Sequence, residues 1–257
     1  GGAFTTADGQ PRSRIAAFDA VTGSATEWNP NVDNSVYALA VFGDTVYAGG
    51  AFITVGGQLR NRIAGLDKAT GAATGWDPGA NDSVWALVVS GGMVYAGGAF
   101  TFIGGQPRNR LAALDTAAGD AADWNPNVNG LVRALAVFET SVYAGGGFSK
   151  IGGQPRNGIA AVDTATGGVT GWNPDTDGFV VYSLAVSGTV VCAGGWFSRI
   201  GGADRGNIAL IDRTTGAATE WASDTSASVL TVAVAGGLVY AGGSFLSVAG
   251  GMRNNIA

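Results

Sequence analysis

Short apolar runs alternate with glycine-rich polar turns along the whole chain, and this alternation predicts short β-strands. Glycine, asparagine and aspartate at the breaks favour tight turns, as at Gly43 and Asp44. Pro78 ends one such stretch, because proline cannot continue a strand ladder. In the stretch that starts near Val36, the predicted strands are Val36–Val41, Thr45–Gly49, Arg62–Leu66 and a fourth that ends at Trp76.

The strand pattern repeats with a fixed period. The motif Gly-Gly-x-Phe recurs at spacings of 48, 48, 48, 49 and 48 residues. One extra residue lies between Pro174 and Val181. No linker or change of composition is visible, so we expect a single domain over 1–257. We also expect this domain to be cut from a longer array. The repeats start at residues 1, 49, 97, 145 and 194, and a partial sixth starts at residue 242.

Four strands in each tandem repeat of this length are typical of a β-propeller blade. One four-stranded sheet has two apolar faces and cannot bury both alone, whereas blades arranged in a ring bury each face on a neighbour. The predicted fold is therefore an all-β propeller of four-stranded blades with about 48 residues per repeat. The strand count leaves five and six blades open, and a right-handed solenoid is the alternative architecture.

Composition excludes several classes of protein. The chain of 257 residues has 44 glycines but lysine only at 68 and 150, which argues against exposed helices. With 14 basic and 19 acidic residues and no basic tract, nucleic acid is not an expected partner. No apolar run reaches the roughly 18 residues of a membrane span. Histidine is absent, which removes His-dependent triads and metal sites, and Cys192 is the single cysteine.

A second motif follows the third predicted strand of each repeat. It reads Asp-x-x-Thr-Gly followed by Trp, at 19–28, 67–76, 163–172 and 212–221, and at 115–124 with Ala118 in place of Thr. This resembles the tryptophan-docking motif of quinoprotein-like propellers, and the Gly-Gly after the second strand is kelch-like. The resemblance implies the propeller fold. It implies no cofactor site, because the cofactor's ligands lie outside the repeated motif.

Positions that recur in every repeat are predicted to be structural. The aspartates of the motif are expected to cap turns, and its tryptophans are expected to form core. Cys192 aligns with Tyr47 and is expected to be buried and unreactive. The recurring arginines are expected to tie their loops to a backbone carbonyl or to a repeated aspartate such as Asp67, although a ring of anion or glycan donors is the alternative. They are Arg12, Arg60, Arg108, Arg156, Arg205 and Arg253.

Positions that depart from the repeat are candidates for function. Trp196 stands where the other repeats have alanine, glycine or serine. Exposed, it would stack on a sugar ring or a partner side chain; buried, it would fill a gap between blades. A second variable position opens each first strand, with ordinary packing as its alternative role. Its residues, which would surround the mouth of a central channel and suit a carbohydrate, are Tyr37, Trp85, Arg133, Tyr182 and Leu230.

Calcium is the one candidate cofactor. Asn173, Asp175 and Asp177 have the alternating spacing that opens a calcium loop. The position of the bidentate glutamate in an EF-hand falls on Leu184, so the full motif fails. Asparagine and aspartate are also common turn residues, which is the alternative reason for this spacing.

These observations predict a non-catalytic recognition scaffold that binds a glycan or a protein surface. The connections from second to third strand and from fourth to next first strand are long and polar, such as Ile53–Asn61 and Asp77–Ser83. Long loops usually carry ligands, so binding is assigned to their face. One alternative is a carbohydrate hydrolase or lyase that uses aspartates of the same face. Another is a structural segment of a surface protein. The composition suits an extracellular or cell-surface protein of bacteria.

Overall fold

A computed structural model describes residues 1–257, and it consists of strands and turns. It contains no helix that could cross a lipid bilayer. The chain divides into two compact units, Gly1–Asn125 and Pro126–Ala257.

The first unit contains twelve strands. In chain order they are β1 (Thr6–Ala7), β2 (Gln10–Pro11), β3 (Val36–Phe42), β4 (Thr45–Gly50), β5 (Thr54–Val55), β6 (Gln58–Leu59), β7 (Ile63–Asp67), β8 (Val84–Ser90), β9 (Met93–Gly98), β10 (Phe102–Ile103), β11 (Gln106–Pro107) and β12 (Leu111–Asp115).

The second unit contains fourteen strands on the same plan. They are β13 (Leu131–Phe138), β14 (Ser141–Gly147), β15 (Lys150–Ile151), β16 (Gln154–Pro155), β17 (Ile159–Asp163), β18 (Val180–Ser187), β19 (Val190–Trp196), β20 (Arg199–Ile200), β21 (Ala203–Asp204), β22 (Ile208–Asp212), β23 (Val229–Ala235), β24 (Leu238–Gly243), β25 (Ser247–Val248) and β26 (Gly251–Met252).

Each full repeat forms an antiparallel sheet with its second strand in the middle. In the first unit β4 pairs with β3 on one side and with β7 on the other, so that Val46 lies opposite both Val41 and Leu66. The same order recurs in β8-β9-β12, β13-β14-β17 and β18-β19-β22. The predicted order of the first three strands is therefore confirmed.

The predicted fourth strand is reduced to an isolated bridge. Leu66 pairs with Ala73 there, and Thr74 N donates to Gly65 O at 2.8 Å. The Thr74 hydroxyl also donates to Gly65 O and accepts from Trp76 N, at 3.1 and 3.2 Å. Asp67 N also donates to Ala72 O and Gly65 N to Trp76 O, at 2.8 and 3.2 Å, so backbone hydrogen bonds continue beside the bridge.

The polar loop between second and third strands contains a small hairpin that the sequence pattern did not predict. β5 and β6 form it in the repeat around residue 56, with Val55 opposite Gln58. Gly56 and Gly57 form the turn with φ of +55° and +78°. Two consecutive left-handed residues match the turn that joins two-residue hairpins, which explains the glycine pair.

Glycine in the second strand lets consecutive sheets approach closely. A Cβ atom built on Gly49 would lie only 2.7 Å from Val84 Cγ1 of the next repeat. In the second unit, Gly145 stands in the same relation to Val181. The first strand of one repeat therefore packs directly against the backbone of the preceding second strand.

The recurring tryptophan links one repeat to the next. Trp76 is buried, and its Nε1 donates to Asp115 O in the following repeat at 2.8 Å. The Tyr47 ring meets Trp76 edge-on at 4.7 Å between centroids. In the second unit Trp172 donates to Asp212 O at 3.0 Å. The prediction that these tryptophans form core is confirmed.

Candidate functional site

The recurring arginines hold loops together, as predicted. Arg60 Nη2 donates to Thr74 O at 2.7 Å, and Arg156 Nη2 donates to Thr170 O at 2.9 Å. Arg12, Arg108 and Arg205 reach the carbonyl fourteen residues ahead in the same way. The Nη2 atoms of these five arginines therefore bind backbone carbonyls, whereas Arg253 Nη1 donates to the adjacent Met252 O.

The recurring aspartates cap the turn after the third strand, which confirms their predicted role. Asp67 Oδ1 accepts hydrogen bonds from Thr70 N and Thr70 Oγ1, both at 2.7 Å. The hydroxyl bond, followed by the amide bond, lowers the pKa of Asp67. Asp163 has the same bonds to Thr166, and its pKa is lowered for the same reason.

Cys192 has no catalytic environment. It is fully buried in β19, and burial raises the pKa of its thiol to about 12. The thiolate is the reactive form of cysteine, so this side chain is chemically quiet at neutral pH.

The variable position of each first strand is a β-bulge. In β3 the pairing with β4 passes from Val36 to Ala38, which leaves Tyr37 as the extra residue. A bulge locally bends the strand and turns its extra side chain out of register. The bulge residues of the five first strands are Tyr37, Trp85, Arg133, Tyr182 and Leu230.

The structure brings two of these side chains into contact. In the second unit the Arg133 guanidinium carbon lies 5.6 Å from the centroid of the Tyr182 ring, within the range of a cation–π contact. Leu230, on the next first strand, is half exposed. In the first unit, Tyr37 is half exposed and Trp85 is partly buried at the bulges of β3 and β8.

Trp196 is exposed at the end of β19. Its side chain is 53 % exposed, and Phe179 beside it is 41 % exposed. Their ring centroids are 4.8 Å apart with planes inclined at 33°. Of the two alternatives for Trp196, exposed or buried, the structure shows the exposed one. The two rings form one aromatic surface, which we call the Trp196 platform.

Sequence reasoning missed Phe179. The available signal was the one irregular spacing, because Phe179 lies within the segment between Pro174 and Val181 that holds the extra residue. The insertion lengthens the loop just before β18. It thereby supplies an aromatic neighbour that the other repeats lack at this place.

The candidate calcium loop uses its carboxylates to hold neighbouring segments. Asp175 Oδ1 accepts from Asn157 N at 3.1 Å, and Asp177 Oδ2 accepts from Ser198 N at 3.0 Å and from the Ser198 hydroxyl. Asn173 precedes them in the same loop. No group of three or more His, Cys, Asp or Glu side chains is gathered to hold a metal ion.

The fold and these surfaces define a repeat protein of the β-propeller type. A sequence family described as a β-propeller domain of unknown function, DUF5122, matches residues 92–116. That match runs from β9 to β12 of one repeat and indicates the fold. A comparison with curated proteins finds no match to this sequence.

Solved structures share the fold at low sequence identity. The computationally designed Ika8 protein superposes with a TM-score of 0.61 and 18 % identity, over 95 % of this chain and 72 % of that one. A chain of the mitotic checkpoint complex gives a TM-score of 0.64 and 16 % identity, over 88 % of this chain and 64 % of that one. A propeller-type domain of this kind is consistent with a binding or scaffold role.

Proposed function

We propose that the chain is a non-catalytic recognition scaffold that binds a carbohydrate on its long-loop face, with the Trp196 platform as the main contact. The observation that carries this proposal is the exposure of Trp196 beside Phe179. The alternative role of filling a gap between repeats would require a buried indole.

Neighbouring residues support a sugar ligand. Val180 is the strand partner of Trp196, and Tyr182 follows two residues further along β18. The Arg133 guanidinium group lies over the Tyr182 ring. A flat aromatic ring packs against the apolar face of a sugar, and nearby polar groups bind the hydroxyl groups of the sugar.

A protein surface is the second class of ligand in this proposal, since exposed tryptophan and arginine are common anchors of protein interfaces. The enzymatic alternative gains no support, because Asp175 and Asp177 are hydrogen-bonded to backbone amides of adjacent loops. We also propose a secreted or cell-surface bacterial setting. The proposed architecture has five or six four-stranded blades of the quinoprotein-like type, which the repeated contact from Trp76 to the following repeat supports.

A glycan array tests this function. The folded chain is applied with calcium and, separately, with a chelator. We expect a defined class of sugars to bind, and Trp196→Ser to weaken binding about tenfold or more, equivalent to about 1.4 kcal/mol. Serine is the residue of the corresponding position 244. Phe42→Ser, which removes an equally exposed aromatic side chain from the first unit, is the matched control.

Three outcomes bear on the proposal. A blank array in both conditions would contradict the carbohydrate ligand and favour the protein surface. Binding that is indifferent to Trp196→Ser would contradict the Trp196 platform as the main contact. Retained binding in Phe42→Ser together with loss in Trp196→Ser supports it. Loss of the signal with chelator, reproduced by Asp177→Ala, would add calcium at the loop of Asn173, Asp175 and Asp177.

A further inference from the structure

A cavity of about 520 Å³ opens among three loop segments of the first unit. Its walls come from residues 77–81 after Trp76, from Phe102, Gly104 and Gly105 of the β10–β11 hairpin, and from residues 118–120 after β12. The volume falls within the roughly 300–1,000 Å³ that is typical of small-molecule sites. None of these residues belongs to the Trp196 platform.

The cavity is open because small residues replace larger ones of the repeat. Gly79 takes the place of Asn31, Asn127 and Asp175. The backbone is the same at these positions, since Gly79 has φ of +54° and Asn31 also has +54°. A Cβ atom built on Gly79 meets no atom within 4 Å. Ala118, on the opposite wall, likewise replaces the threonine of the other turns.

Other lining residues depart from the repeat in a way that adds binding groups. Phe102 is 45 % exposed where the corresponding residues are threonine, lysine, arginine or serine. Asp120 replaces serine, alanine or glycine, and Asp77 replaces asparagine or alanine. The repeats are otherwise closely alike. At this one place, the substitutions add open volume, an aromatic ring and two hydrogen-bond acceptors.

The wall that carries Phe102 is rigid without a ligand. Asn81 Oδ1 accepts from Thr101 N at 2.9 Å and from Phe102 N at 3.0 Å. Its Nδ2 donates to the Thr101 hydroxyl at 2.8 Å. Because the hairpin is held in place, binding would require little ordering of the backbone, which favours affinity.

We infer that this cavity is a second carbohydrate site, in which Phe102 stacks on a sugar ring while Asp77 and Asp120 accept hydrogen bonds from its hydroxyl groups. Arg60 Nη1 lies 3.5 Å from Asp77 Oδ2 and offsets the charge of that carboxylate, which leaves Asp77 suited to accept hydrogen bonds from a neutral polyhydroxylated ligand. Asn61, which also lines the cavity, can both donate and accept. The ligand class rests on the proposed function, but the residues are different.

The test replaces cavity residues by those of the other repeats, which the same backbone already accommodates. The variants are Gly79→Asn and Phe102→Thr, and Gly57→Asn is the control, because Gly57 also has positive φ and open space around it. Binding of glucose-, galactose-, mannose- and N-acetylglucosamine-based disaccharides is measured by ligand-observed NMR. We expect both cavity variants to weaken binding of one disaccharide at least tenfold, with thermal midpoints unchanged and the control equal to the wild type.

The possible results of this experiment distinguish a failure of the cavity inference from a failure of the proposed function. If a disaccharide binds and only Trp196→Ser weakens it, the cavity inference is wrong and the proposed function stands. If no disaccharide binds the wild type, the cavity inference is overturned whatever the array shows. If a cationic probe, N-acetyl-lysine methylamide, binds the wild type and is lost in Gly79→Asn while the sugars do not bind, the ligand class assigned here is wrong.

Discussion

At the residue scale, the repeated polar side chains serve the backbone. Asp67 binds amide hydrogens of its turn, and Arg60 binds a carbonyl across its loop. Glycine-rich loops expose many such groups, and a buried backbone group without a partner is costly. These residues recur because every copy of the loop has the same groups to satisfy.

The aspartate caps predict a loss of stability in acid. The pKa of Asp67 is lowered from 3.8 in the folded state. Its contribution is therefore present above about pH 4 and is lost as the pH falls through the folded-state pKa. We expect Asp67→Asn, which keeps the accepting oxygen but does not titrate, to show a smaller fall in melting temperature from about pH 5 to about pH 2.5.

The control for this measurement is Asp44→Asn, the same change of charge at an exposed turn. It separates the effect of removing one acidic side chain from the effect of removing the titration of the cap. An Asp67→Asn variant with the acid dependence of the wild type would show that the cap does not link folding to protonation.

Cys192 should be silent toward thiol reagents in the native state. Burial raises its pKa to about 12, so almost no thiolate exists near pH 8. We expect no reaction with Ellman's reagent until denaturant unfolds the chain, and then one thiol per chain. Fast labelling of the native protein would contradict the buried placement.

The roles of these residues were predictable because each depends on a short stretch of chain. The neighbours of the candidate site residues were not. Phe179 stacks beside Trp196, and Phe102 lines the same cavity as Asp77 and Asp120. Departure from the repeat marks such residues individually, but their contacts depend on how the loops of successive repeats fold over one another.

At the element scale, glycine and the β-bulge shape each sheet. Glycine in the second strand admits the next first strand, and the bulge turns one residue of that strand aside. The first three strands were predictable from alternation and turn residues. The fourth segment lies beside the third strand and forms the bridge between Leu66 and Ala73, and four-stranded blades stay a prediction.

Close packing at Gly49 predicts a marked cost for one methyl group. We expect Gly49→Ala to destabilise the chain by about 1–3 kcal/mol, because the new Cβ would overlap Val84. Gly75→Ala is the matched control, since a Cβ there meets nothing within 4 Å. Urea unfolding checks both variants. Equal midpoints for the two would mean that the sheets do not approach as closely as described.

At the scale of the whole molecule, the repeats supply a scaffold and the exceptions supply the candidate sites. The period predicted an all-β fold, and the antiparallel sheets and structural neighbours support a β-propeller type. Function was less predictable, because tandem repeats constrain the residues that build the fold and not the residues that contact a ligand.

Trp196 lies outside the repeated motif and is proposed to bind ligand, whereas the tryptophans inside the motif hold the fold. The chain has seven tryptophans. The most direct measurement is fluorine NMR of the chain labelled with 5-fluorotryptophan. With a binding oligosaccharide from the array, we predict a shift of the Trp196 signal, assigned through Trp196→Phe. The signals of Trp28, Trp76, Trp124, Trp172 and Trp221 should stay unchanged. Shifts confined to those five, with Trp196 unaffected, would contradict the account.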